Sequence, residues 1–278
     1  MVIPCFNDGA TLIEAVHSAQ AQQCVDELVV VDDGSTDPGT LAVFRSLEAE
    51  HVQVVHRPNG GLGEARMTGV LATDSDYVLC LDADDRLLDG SLSALASALD
   101  ENGGLALVWG DYRLFGERSW IQGTAPSLDP WQLCYQNDLP ASMLVRRSAL
   151  LATPGWELRG GYEDWDLLMS LAERGSRGLR VPVVVYEYRQ HGARMLSESA
   201  SRHAEIYSLL RRRHPRLFAD RRRAWRRSAA PWSLKLALPL IFALPFGANR
   251  QRLLAGAACH LARRRGLDLL LLRVRSGG

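Results

Sequence analysis

Apolar and polar positions along the first half of the chain alternate between two periods. Short apolar runs rich in β-branched residues, at about Val2–Cys5, Leu28–Val31, Val52–His56 and Tyr77–Leu81, are bounded by polar turns and predict buried strands. Between them apolar residues recur at helical spacing: Leu12, Ala15, Val16 and Ala19, then Leu41, Phe44 and Leu47, then Leu92, Leu95 and Leu99. Strands alternating with helices over short connections predict an α/β fold with a mostly parallel, doubly wound sheet. Leu105–Leu114, Met143–Arg146 and Val181–Tyr188 read as further strands in a more irregular second half. Leu167, Leu168 and Leu171 place a helix over Asp164–Arg174. From about Ser197 the pattern changes to helices, then arginines, then an apolar stretch, and the domain boundary is expected there.

Two of the strands run straight into carboxylates. The run ending at Leu81 delivers Asp82, Asp84 and Asp85, and the run ending at Val31 delivers Asp32 and Asp33, followed by Gly34-Ser35-Thr36-Asp37. In open α/β sheets the C-terminal strand edge is where ligands bind. Carboxylates crowded within a few residues repel one another unless a cation sits among them, and hard oxygen ligands favour Mg²⁺ or Mn²⁺ shared with substrate phosphates. An isolated Asp-x-Asp-Asp is more often a turn that caps the next helix. This one is not isolated: a polar loop follows Pro4-Cys5-Phe6-Asn7, and Arg57-Pro58-Asn59-Gly60-Gly61-Leu62-Gly63-Glu64-Ala65-Arg66 leads from a turn into a helix. The Gly60–Gly63 run lacks the full spacing of a dinucleotide-binding loop and follows the third strand, so it is discounted as one.

Val2–Asn7, Val29–Asp37, Asn59–Arg66, Leu81–Asp85, Gly160–Leu167 and Tyr188-Arg189-Gln190-His191 stand in the order and spacing of one family. Over about residues 1–195 the chain resembles the family 2 glycosyltransferases, enzymes of the Rossmann-like GT-A fold. The resemblance implies a catalytic domain over residues 1–196, with a nucleotide-sugar half at 1–110 and an acceptor half at 111–196, and a helical segment at 197–278. It implies an inverting glycosyl transfer from a nucleotide sugar, UDP-linked by expectation, with Mg²⁺ or Mn²⁺. Asp32 is expected to accept the N3–H of uracil, with Asp33 left to bond the amides of its own turn. By resemblance Pro4 and Phe6 line the base pocket, Arg66 faces the nucleotide or its phosphates, and Asp82 meets the ribose. Asp84 contacts the metal, Asp85 shares it, and His191 stands near metal and diphosphate. The Asp of the Glu163-Asp164 pair is implied as general base, so Asp164 takes that role. Desolvation and a neighbouring acid raise a carboxyl pKa, which suits a base. The plainer reading of Glu163 is negative charge at a helix N-terminus.

Composition adds a location. At 278 residues and 47% hydrophobic, the chain holds enough apolar material for one large domain with an appendage. The five cysteines, Cys5, Cys24, Cys80, Cys134 and Cys259, are scattered without metal spacing, which predicts reduced thiols in the cytoplasm. Met1 stands almost inside the first strand, so the natural start is expected a few residues upstream. The net charge of +0 hides an asymmetry: Lys235 is the only lysine, and arginines crowd between Arg211 and Arg227. The apolar stretch Leu236–Phe246, broken by Pro239 and Pro245, is shorter than the roughly 17–25 residues a spanning helix needs. Arginines flank it on both sides, which disfavours a single crossing. We expect a peripheral anchor on the anionic inner face of the cell membrane, with docking onto the domain as the competing arrangement. The apolar run argues against nucleic acid as the partner of the arginines. A glycan or lipid-linked acceptor follows from such a surface. Two other classes remain open: a non-catalytic nucleotide-sugar-binding assembly protein, which loss of Asp84 or Asp164 would favour, and a nucleotidyltransferase, against which Glu163-Asp164 and Tyr188-Arg189-x-His191 speak.

Overall fold

A computed structural model describes the backbone of residues 1–116, 119–190 and 201–275, with side chains through residue 263. The first half runs β1 (Val2–Cys5), α1 (Gly9–Gln20), β2 (Val29–Asp32), α2 (Pro38–Ala49), β3 (Gln53–His56), α3 (Leu62–Leu71), β4 (Tyr77–Leu79), β5 (Arg86–Leu87) and α4 (Ser91–Glu101). The second half adds β6 (Leu107–Gly116), β7 (Trp120–Gln122), α5 (Pro130–Leu133), β8 (Leu144–Arg146), α6 (Arg147–Leu151), α7 (Glu163–Glu173) and β9 (Gly178–Gln190). The C-terminal helices are α8 (His203–Arg213), α9 (Pro215–Ala219), α10 (Arg221–Arg227), α11 (Trp232–Ala243) and α12 (Ala248–Arg275).

Strands β1, β2 and β3 pair in parallel, as the βαβ alternation requires. The Leu81 amide bonds the Val2 carbonyl and Val2 bridges Cys80, which carries the sheet from β1 to β4. From there the parallel wind gives way to a mixed sheet. β8 is antiparallel to β4 and β6, β5 is antiparallel to β9, and β6 runs parallel to β9. The sheet is thus parallel where helices cross over between neighbouring strands, and mixed in the irregular half.

Period-two alternation decides which helix covers which face. Val2, Val29 and Val31 point into a cluster with Ala65, Val70, Trp131, Trp165 and Leu168, beneath α3, α5 and α7. Ile3 and Val30 point the other way, onto Leu12, Val16, Phe44, Leu95 and Leu99 of α1, α2 and α4. Both faces being covered, β2 is apolar from Val29 to Val31, up to the carboxylate at its end.

The C-terminal helices join the first of these clusters. Ile206, Leu210, Leu217, Leu234, Leu238, Ala255 and Cys259 are all buried in it, and each buried leucine contributes on the order of 1.5–3 kcal/mol. A second tie is polar: the buried Asp166 of α7 accepts Arg213 Nε at 2.8 Å and pairs with His214 Nε2 at 2.9 Å. Burial pushes the Asp166 carboxyl up, but the bonds from His214 and Arg213 outweigh it and hold it below its ordinary value. The segment predicted to be either an anchor or a docked helix pair is docked. Its far face is considered with the function below. No helix among the described residues is long and apolar enough to cross a membrane. All five cysteines are free, and all but Cys24 are buried.

Candidate active site

A cavity of about 840 Å³ opens at the C-terminal edge of β1 and β4. It is lined by Pro4, Phe6, Asp33, Asn59 and Gly61, by Asp82 and Asp84 from the turn after β4, and by Glu163 and Asp164 from the start of α7. Phe6 is 49% exposed, an aromatic ring held open at the cavity rim. Gly34, at φ 73° and with the Asn59 amide 2.6 Å from where a Cβ would sit, lets its own turn and the Asn59 turn close against each other.

Of the two carboxylates at the end of β2, Asp33 and not Asp32 lines the cavity. Asp32 holds its own turn, accepting the Ser35 amide at 2.7 Å and pairing with His56 Nδ1 at 2.9 Å, and it does not line the cavity. Hydrogen bonding to Asp32 raises the His56 pKa. Asp33 lines the cavity and accepts the amides of Gly60 at 3.0 Å and Gly61 at 2.7 Å, with the Arg57 guanidinium beside it.

Arg66 is the centre of the site. Its side chain is 2% exposed, and it reaches Asp82 Oδ1 at 2.8 Å, Asp164 Oδ1 at 2.9 Å and Glu163 Oε1 at 3.7 Å. The expected phosphate-facing arginine is here a clamp that joins the end of β4 to the start of α7. One cation against three carboxylates leaves the site short of positive charge. Burial, reinforced by the Asp164 charge, raises the Glu163 pKa; burial also raises that of Asp164, with Arg66 opposing it.

Asp164 is positioned by strained backbone. Gly160, Gly161 and Tyr162 all have positive φ, at 86°, 107° and 62°, and this turn aims the first residues of α7 into the cavity. The Trp156 indole donates to Asp164 Oδ1 at 2.8 Å, the same oxygen that Arg66 holds. Oδ2 accepts no hydrogen bond among the described residues. Trp156 is invisible to sequence reasoning, since it stands in no motif; only its indole, poised eight residues before the carboxylate, marks it.

Asp85 does not line the cavity. It is buried and accepts the Arg189 amide at 2.9 Å, while burial and the charges of Asp82 and Asp84 push its carboxyl well up. Arg189 Nε donates to the Asp84 carbonyl at 2.9 Å and ties β9 to this turn. His191 lies outside the described residues. Among the described residues no three acidic, histidine or cysteine side chains form a metal cluster. What the turn after β4 offers is Asp84 with Asp82 beside it, the one-or-two-carboxylate arrangement that Mg²⁺-type ions complete with water and substrate phosphates.

Residues 1–147 match the family model described as glycosyl transferase family 2. An uncharacterized glycosyltransferase of Mycobacterium tuberculosis is 32% identical over 190 residues, spanning 66% of this chain and 83% of that one. Chondroitin synthase of Escherichia coli is 26% identical over 183 residues, which cover 62% of this chain and only 26% of the synthase. Among solved structures, residues 1–349 of Staphylococcus aureus TarS with UDP-GlcNAc superpose with a TM-score of 0.62 at 21% identity, over 76% of this chain and 65% of that one. Glucosyl-3-phosphoglycerate synthase of Mycobacterium tuberculosis, solved with Mn²⁺ and UDP, gives 0.56 at 24% identity, over 77% and 78%. These two likenesses establish a shared fold.

Proposed function

The chain belongs to glycosyl transferase family 2 and is a glycosyl-transferring enzyme, and from that premise we propose that it moves a sugar from a UDP-sugar to a hydroxyl of a glycan or lipid-linked acceptor, inverting the anomeric carbon. The observation that carries this reading is the Arg66 clamp, which brings Asp82 and Asp164 together on one guanidinium in the cavity that Asp84 also lines.

The nucleotide takes the Phe6 side. Phe6 stacks on the base, Pro4 bounds it, and Asp33, rather than Asp32, is the carboxylate placed to accept the uracil N3–H. Asp82 serves the ribose. The cavity carries more carboxylates than cations, and a diphosphate adds further negative charge, so its binding calls for a divalent cation. Asp84 would hold Mg²⁺ or Mn²⁺, with His191 as a candidate second ligand; bound there, the ion supplies charge neutralisation for the departing diphosphate. Asp85, turned to the Arg189 amide, supports the turn after β4 instead.

Asp164 acts as general base. Its Oδ2 takes the proton of the acceptor hydroxyl as that oxygen forms its bond to the anomeric carbon, and the bond to the diphosphate breaks with its electron pair. A single displacement of this kind inverts configuration. Burial raises the Asp164 pKa toward the range useful to a base at neutral pH. Trp156 and Arg66 fix Oδ1, leaving Oδ2 to the acceptor.

We place the enzyme peripherally at the cytoplasmic face of the membrane. On α11, Leu234 and Leu238 are buried, whereas Trp232, Leu236 and Leu240 on the other side are 67%, 66% and 60% exposed. The exposed arginines of α10 stand immediately before this stripe. Apolar area beside basic charge is the composition of an interfacial helix on an anionic leaflet. The function as a whole is tested by incubating the purified protein with a panel of nucleotide sugars, with Mn²⁺ or with EDTA. Release of UDP from one UDP-sugar, lost in EDTA and in Asp84→Asn, supports the reading. Full turnover in EDTA removes the metal from it, and inertness toward every UDP-sugar overturns the proposed donor.

A further inference from the structure

The last helix delivers a cation to the cavity. Arg252, on α12, lines it, although some ninety residues of sequence separate it from Tyr162. Its Nε is buried without a hydrogen-bond partner, and the side chain makes no ion pair among the described residues. The other arginines lining the cavity are spent. Arg66 is held by Asp82, Asp164 and Glu163, and Arg189 by Glu14 at 2.7 Å and by the Asp84 carbonyl. A guanidinium is costly to desolvate and is ordinarily paired when it is partly buried. Among the described residues, therefore, nothing neutralises Arg252, and its charge faces whatever enters.

Its neighbours say which end of the cavity it serves. The Arg252 charge opposes the burial-driven rise of the Tyr162 pKa and adds to the burial that brings His203 down to about 4. Both neighbours belong to the Asp164 end: Tyr162 begins the turn into Glu163-Asp164, and the Tyr162 hydroxyl lies 3.1 Å from His203 Nδ1. With a pKa that low His203 is neutral at pH 7 and adds no competing charge. Among the described residues, the Glu163 and Asp164 that follow Tyr162 are already engaged with Arg66. Phe6 and Asp33, assigned above to the nucleotide, line the same cavity.

We propose that Arg252 forms an acceptor subsite for an anionic group, a phosphate or a carboxylate, so that the enzyme selects a negatively charged acceptor and needs its C-terminal helix to do so. The guanidinium fork matches either group with two parallel hydrogen bonds. The inference rests on the glycosyl-transfer reading, in which Asp164 faces the acceptor. It goes beyond that reading in giving the acceptor a charge and in drawing α12 into the substrate site.

The test uses the full-length protein saturated with UDP and Mn²⁺, so that the donor site is filled. Glycerol 3-phosphate, glucuronate and neutral glycerol are titrated by calorimetry into wild type, Arg252→Ala and Arg252→Lys. The expected result is binding of at least one of the two anions, tenfold to a hundredfold weaker in Arg252→Ala, the range for losing a charge-assisted hydrogen bond. Arg252→Lys should recover part of it, glycerol should show no such dependence, and the affinity for UDP should be the same in all three proteins. The stronger anion tells whether phosphate or carboxylate is preferred. Equal anion binding in wild type and Arg252→Ala, or none in either, overturns the subsite. A matching loss of UDP affinity in Arg252→Ala also overturns it, by assigning the arginine to the donor. Failure of wild type to bind UDP at all would instead sink the UDP-donor reading on which the subsite rests, and the subsite with it.

Discussion

Replacing Arg66 with methionine removes the charge at the centre of the site while keeping most of the apolar stem. The substitution leaves Asp82, Asp164 and Glu163 without the guanidinium that now lies 2.8, 2.9 and 3.7 Å away. Nε already lacks a hydrogen-bond partner, so nothing is lost there. Breaking a buried ion pair from one side costs about 3–5 kcal/mol, and the partial exposure of Asp82 and Asp164 brings the expectation to the lower end, about 3 kcal/mol. With a urea dependence of about 3 kcal/mol per molar, the unfolding midpoint should fall by about 1 M. The pH dependence carries the sharper test. Glu163 and Asp164 have folded pKa values raised by burial, so the folded state binds protons more tightly than the unfolded chain. Such groups favour folding at low pH, and that contribution is lost as pH rises through the folded pKa. Without Arg66 those pKa values rise further, so the penalty should be small near pH 5, where the site takes up protons, and full at pH 8. Urea unfolding followed by tryptophan fluorescence at both pH values reads the difference. An equal loss at pH 5 and pH 8 would refute the electrostatic account of the clamp and leave only a packing defect.

Three further outcomes follow from the same geometry. Gly63→Ala would place a Cβ 2.1 Å from the Trp156 carbonyl oxygen, so α3 and the Trp156 segment must separate; a loss of about 1–3 kcal/mol in thermal unfolding, with reduced turnover, is expected. Turnover of the wild type should rise with pH along an acid limb above the ordinary carboxylate range, because the base must be ionised while burial raises its pKa; a limb near pH 4 would argue against Asp164 as base. Replacing Trp232, Leu236 and Leu240 together with serine should abolish cosedimentation with anionic liposomes while unfolding stays nearly unchanged, since all three are exposed; undiminished binding would place the membrane contact elsewhere.

The sequence reading succeeds where short-range pattern decides. The β1 range is as predicted, and α7 differs from its predicted range by one residue at each end, because apolar period and turn chemistry are local properties. It falters at Asp32 and Asp33, neighbours at a strand end, where only the packing of His56 and the Gly60 turn decides which carboxylate faces the cavity. The Arg66 clamp is not legible, since its partner Asp164 lies ninety-eight residues away. The C-terminal segment is legible as apolar and basic, but periodicity cannot say that Leu234 and Leu238 face a core while Leu236 and Leu240 face outward. Arg252 carries no motif at all; its place follows from the docking of α12.

The central claim is that Asp164 is the general base of a glycosyl transfer. It is tested most directly by comparing wild type with Asp164→Asn, using the UDP-sugar that the panel identifies and measuring kcat for donor turnover together with the dissociation constant of the donor. The account predicts that kcat falls roughly 10²–10⁴-fold, the usual contribution of a general base, while donor affinity stays nearly intact. Collapse of donor affinity with kcat preserved would make Asp164 a binding residue and contradict the account.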